Sequence, residues 1–359
     1  MESNIDVSLI NKQLIQKRHE YNDNDNNDDN DDNDDNLTKI VPYHFFTINE
    51  INISSKINKI PYYSNHYNVM IDYDFIDISK IDEKIVENVD LMENKKYIIC
   101  HYNDEKFVCF QDFLFNMSDI KQFMLNILTS YSKLLNSLII LNEENICFFE
   151  LNTVNIVFSN NNTVVLENFQ NSLDIYELNE SYITNIIKNI DDYTYKPLEI
   201  HVLFYLIIND ETSLSLSFIE YICTNYVQNM SILSLFSQQY KDSYEKACVE
   251  TLKKYINMPK SAIINDILKY SSYWDNYSIT IIYLHIIGNV SRVFSLKGTF
   301  LNKFSLLLVK NIHPDPLKRE GLKNSIIKYE KLFDEFTDWS FINNIPNEKL
   351  TELYNVLLD

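Results

Sequence analysis

The sequence predicts an α+β fold in which a small strand-containing region leads into a large helical one. Three observations point there. Short β-branched and aromatic runs occupy 44–48, 68–78 and 96–103, with one helical stretch among them. From Phe107 onward the apolar residues mostly recur at the helical period. Inside that helical part lies a strand–turn–strand signal, NIVFS and TVVLE, joined through an Asn-rich turn.

Each element has a local reason. Residues 1–40 read as a short polar helix and then NDNDNNDDNDDNDDN at 22–36, too poor in apolar surface to order itself. HFFTI at 44–48 reads as a strand. NEINISSKINKI at 49–60 reads as a helix, capped by Asn49 and stopped by Pro61. NVMIDYDFIDI at 68–78 and KYIICHYN at 96–103 read as strands. In IKQFMLNILTSYSKLLNSLIIL, Ile120, Met124, Ile127, Leu128, Tyr131, Leu134, Leu135 and Leu138 share one helical face, expected in the core. Residues 175–359 are mostly helical by period; Trp274 and Trp339 read as core anchors, His201 and His285 as satisfied helix residues.

Composition excludes several function classes. The 359 residues carry 45% hydrophobic and 13% aromatic side chains, enough for a substantial core. Net charge is −20; the eight aspartates of 22–36 leave −12 on the rest, and no run is basic. A phosphate-tracking nucleic-acid binder needs clustered Lys and Arg, so nucleic acid is not an expected partner. The five cysteines form no pair at metal-ligand spacing, which argues against a zinc site or a disulfide framework. The N-terminus lacks the apolar core of a signal peptide, and Tyr221–Tyr240, the longest uncharged stretch, is too polar to span a bilayer. A soluble intracellular protein with no membrane partner is expected. The three glycines, Gly288, Gly298 and Gly321, all fall late in the chain, so the first 287 residues hold no glycine-rich phosphate loop.

The stretch FFELNTVN at 148–155 sets Glu150 five residues before Asn155, with Asn152 between them; Asn168-Phe169-Gln170 follows the second short strand. Further on come Pro197-Leu198-Glu199, Asp275-Asn276-Tyr277-Ser278 and HPDPLKRE at 313–320. In this order over roughly 41–335 the chain resembles the protein kinases, most closely the divergent kinase-like proteins of large cytoplasmic DNA viruses. The resemblance implies a bilobal fold. A reduced β-containing N-lobe would occupy 41–105, with a hinge near His101–Asp104. A mainly helical C-lobe would occupy 106–340, with 201–270 as a helical insertion and 341–359 as a C-terminal helical segment.

The resemblance also implies roles. Glu150 takes the place of the aspartate that accepts or orients the substrate hydroxyl, and Asn152 the place of the loop lysine. Asn155 and Asn168 stand at the magnesium-ligand positions, the second where the family has aspartate. Lys39 is the candidate nucleotide lysine and Glu50 its helix partner. Glu199 and Arg319 are carried over as a buried scaffold pair, and Asp275 as the anchor of the loop backbone. Glu150 and Asn155 are expected to face the cleft, with Asn168 opposite.

Loss of the glycine loop, the loop lysine and the metal aspartate removes three charge-stabilising parts at once. The implied function is a pseudokinase: a kinase-like fold used as a binding or scaffold module, without cofactor, for an unidentified protein partner in the host cytoplasm or virion. The alternative is an active atypical Ser/Thr kinase with Glu150 as base. It would use ATP and magnesium, with Asn155 and either Asn168 or Glu167 on the metal. Glu167 is expected to point away from the Asn168 side chain, since neighbours on a strand face opposite sides.

Overall fold

Pro42 and His44 decide where the first strand ends and the first helix begins. The computed structural model describes residues 36–76, 96–103, 105–115 and 119–336, together with Lys349 and Leu353. In it β1 spans Asn36–Pro42 and α1 spans Phe45–Ile57. Proline cannot donate to a further ladder bond, and the His44 ring accepts from the Thr47 N–H at 3.4 Å. The stretch 44–48, expected as a strand, is therefore the cap and first turn of a helix. Asn49, expected as the cap, is a buried residue within that helix. The strand begins at Asn36, inside the span assigned by composition to the polar tail. The expected helix before residue 20, Asp104 of the hinge, Trp339 and most of 341–359 lie outside the described residues.

The single strand expected at 68–78 is two. β2 (Tyr67–Asn68) and β3 (Asp72–Ile76) join different sheets. Val69 and Met70 between them are buried in separate apolar clusters, so the chain must turn from one core to the other. β4 (Tyr97–Asn103) stands where it was expected. It is the middle of a three-stranded antiparallel sheet ordered β1-β4-β3, with Lys39 opposite Cys100.

The next residues depart from the helical expectation: β5 (Val108–Cys109) comes before the short α2 (Phe110–Phe115). α3 (Ile120–Glu143) is capped by Asp119, whose carboxylate accepts from Gln122 N–H at 2.8 Å. From Met124 to Leu138 its expected face is buried: Ile127, Leu134, Leu135 and Leu138 are each 0% exposed. By length and composition Lys121–Glu143 is also apolar enough to cross a membrane; here 61% of that window is buried in the core.

Three short strands follow: β6 (Ile146–Cys147), β7 (Ile156–Phe158) and β8 (Val164–Glu167); β9 (Leu173–Asp174) comes after them. The second sheet is ordered β2-β8-β7-β5, with β2 parallel to β8; β6 and β9 form an antiparallel pair. The remainder is helical: α4 (Glu180–Ile187), α5 (Leu198–Ile208), α6 (Leu216–Asn229), α7 (Gln238–Leu252) and α8 (Lys260–Leu268). α9 (Trp274–Val293), α10 (Phe300–Asn311) and α11 (Leu322–Glu335) complete it. α9 is buried along most of its length, its polar residues included, so it is the axis on which the helical part is packed. The fold is α+β, with small sheets and a predominance of helix.

Candidate functional site

Asp275, in the first turn of α9, explains the shape of the loop between β6 and β7. Its carboxylate accepts the backbone N–H groups of Phe148 and Phe149, both at 2.8 Å. These two bonds hold Phe149 in the left-handed region at φ +65°, a conformation costly for a bulky residue. The Phe149 ring packs against Trp274, centroids 5.5 Å apart. Burial pushes the Asp275 carboxyl above its usual range; the Phe149 and Phe148 N–H groups, the Cys147 thiol and the charge of Lys196 pull it back.

Sequence reasoning missed Lys196. It is 3% exposed, and its ammonium donates to the Phe149 carbonyl and lies 4.3 Å from the centre of the Phe149 ring. Burial lowers its pKa, while the charges of Glu150 and Asp275 favour keeping the proton. A lysine beside Pro197 at the start of α5 carries no sequence signal for such a place, because lysines are usually solvated.

Glu150, Asn155 and Asn168 come together, and their polar groups are engaged with one another. The Asn155 amide donates to the Glu150 carbonyl at 2.9 Å, and the Asn168 amide donates to the Asn155 side-chain oxygen at 3.4 Å. Asn171, also missed, donates to the Glu150 carboxylate at 2.6 Å. Asn152 touches this group only through the Asn155 backbone: its side-chain oxygen accepts the N–H groups of Val154 and Asn155 at 2.9 and 3.0 Å, closing a local turn. Asn168 takes φ +67°, which asparagine tolerates better than most residues.

Lys39 and Glu50 share Tyr102 as a neighbour. Tyr102 donates its hydroxyl to the Glu50 carboxylate at 2.9 Å, and the Lys39 ammonium lies 4.8 Å from the Tyr102 ring centre. Burial pushes the Glu50 carboxyl up, against the charge of Lys39 and the Tyr102 hydroxyl. Glu167 is raised by burial in the same way and opposed by the same lysine. One cation therefore serves two desolvated carboxylates.

Glu199 and Arg319 form a bidentate pair with bonds of 2.7 and 2.9 Å, their side chains 6% and 1% exposed. The remaining guanidinium donors reach the carbonyls of His313 at 2.6 Å and Pro314 at 3.1 Å. α1 is tied to the segment after Phe169: the Asn49 amide donates to the carbonyls of Gln170 at 2.9 Å and Ser172 at 2.8 Å, and Lys56 pairs with Asp174. The Ser172 hydroxyl in turn donates to the Phe148 carbonyl at 3.1 Å. Compared with protein-family models and with curated proteins, the chain matches none.

Proposed function

We propose that the chain is a protein-kinase-like protein whose cleft keeps its frame but does not transfer phosphate, a pseudokinase that acts as a binding or scaffold module for a protein partner. The observation that carries this reading is the chain of hydrogen bonds at the loop. Asp275 holds the backbone of 148–149, while Glu150, Asn155, Asn168 and Asn171 hydrogen-bond among themselves. A two-lobed organisation is supported by a second small core, Met70, Ile98, Cys100 and Tyr102, beside the main one.

The donor set fits magnesium triphosphate poorly. Magnesium prefers hard, negative oxygen ligands, and the Asn155 side-chain oxygen already accepts from Asn168. The Glu150 carboxylate is held by Asn171. Lys196 is spent on the Phe149 carbonyl, and Lys39 lies over the Tyr102 ring in the field of the Glu50 and Glu167 carboxylates. In a protein of net charge −20 the field further opposes a polyanion. The atypical-kinase alternative gains nothing from Lys196, because at 3% exposure that ammonium does not reach a substrate.

Purified full-length protein incubated with γ-labelled ATP and magnesium or manganese is expected to label neither itself nor a generic acceptor. Its melting temperature is expected to stay unchanged in millimolar ATP with magnesium. A nucleotide at a hundred times its dissociation constant would add about 2.7 kcal/mol. Labelling that disappears in Glu150→Ala would replace this reading with the active kinase.

A further inference from the structure

Away from the loop, a cavity of about 660 Å³ opens between the 191–194 segment, α5 and α6. That volume lies within the range of sites that hold small ligands or a few residues of peptide. Six rings line it: Tyr193, His201, Phe204, Tyr205, Tyr221 and Tyr226. They brace one another. The Tyr193 and Phe204 centroids are 4.5 Å apart, those of His201 and Tyr226 4.8 Å, and those of Tyr205 and Tyr221 6.0 Å. The Tyr226 hydroxyl is bonded to that of Tyr277 at 2.5 Å, which leaves its ring as the part offered to the cavity.

The charge around these rings has one sign. Asp191 contributes a carboxylate to the wall, and among the described residues no lysine or arginine lines the cavity. Burial lowers His201 to a pKa of about 4, so its imidazole is neutral at physiological pH. Asn225 and Asn229 add amide oxygens able to accept N–H groups. Aromatic faces attract cations, more strongly where water is partly excluded, and a carboxylate beside them adds to the attraction. A phosphate or carboxylate ligand would find no matching charge.

We propose that this cavity seats an arginine or lysine side chain of a basic peptide, the cation enclosed by the rings and neutralised by Asp191. A peptide suits the mouth better than a free small cation. Tyr221 and Ile208 are 55% and 47% exposed there, an apolar rim on which flanking residues can rest. The net charge of −20 complements a basic partner over longer range. This site is separate from the loop at Glu150 and stands whether or not the cleft is inert.

The test titrates full-length protein with acetyl-Ala-Arg-Ala-amide, followed by nuclear magnetic resonance, against the same peptide carrying neutral citrulline. The arginine peptide is expected to saturate and to bind at least tenfold more tightly. Tyr221→Ala and Asp191→Asn, both at exposed positions, should each weaken it at least fivefold with the melting temperature unchanged. Replacing the eight aspartates of residues 22–36 with asparagine should alter affinity less than twofold. Equal binding of the citrulline peptide would overturn the proposal. So would affinity that follows the aspartate run and ignores Tyr221→Ala, or no saturation at millimolar peptide.

Discussion

Arg319 shows how much a single buried charge depends on its partner. All its bonds go to Glu199 or to the 313–314 carbonyls, and the residue is buried. Arg319→Met strands the Glu199 carboxylate and is expected to cost about 3–5 kcal/mol in chemical denaturation. The double variant with Glu199→Leu should recover a large part of that loss, because no unpaired charge remains. Recovery of nothing would mean that the 313–314 carbonyls, not the ion pair, set the cost. His201 gives the second residue-scale expectation. Its native pKa of about 4 lies below the unfolded value of 6.5, so the unfolded chain takes up the proton first on acidification. Its contribution is complete above pH 6.5 and is lost as pH falls toward 4. The adjoining cavity opens to solvent, so the full shift is discounted to about 1–3 kcal/mol. His201→Gln should remove that part of the acid-induced loss, measured as stability at pH 7 minus stability at pH 4. His66, His285 and His313 shift the same way, while Glu50, Glu167 and Asp275 oppose them. For that reason the comparison is variant against parent, not the raw profile.

At the scale of elements, the sequence was readable where one periodicity ran long enough to outweigh its surroundings. α3 holds its apolar face through the whole of 120–141, and β4 alternates in and out, so both were legible. α1 departs from the strand expectation because the β-prone run FFTI carries less weight than Pro42 and the capping His44 before it. The 68–78 run looked continuous because apolar residues at 69–70 belong to two cores, which periodicity cannot separate. The site divides in the same way. Glu150, Asn155, Asn168, Glu199, Asp275 and Arg319 were singled out through the resemblance to the protein kinases. Asn49, Asn171 and Lys196 were not, since each acts across a long sequence separation and sits in a context where a solvated side chain is the ordinary outcome.

Over the whole molecule the apolar interior is unequal. The β1-β4-β3 sheet rests on four fully buried residues, Met70, Ile98, Cys100 and Tyr102, whereas the main cluster runs from α1 to α11. Native-state hydrogen exchange should therefore show amides of Ile98–Cys100 opening at free energies well below those of Ile127–Leu138. Equal protection in the two places would mean that the small sheet unfolds only with everything else. Between these unequal parts lies α1, fixed by Asn49 and Lys56 to residues 170–174. A helix that signals by swinging needs one contact that breaks while another holds. Here two residues bind α1 to the 170–174 strip, and the line of contacts continues from Ser172, whose hydroxyl donates to the Phe148 carbonyl, to the left-handed turn of Phe149.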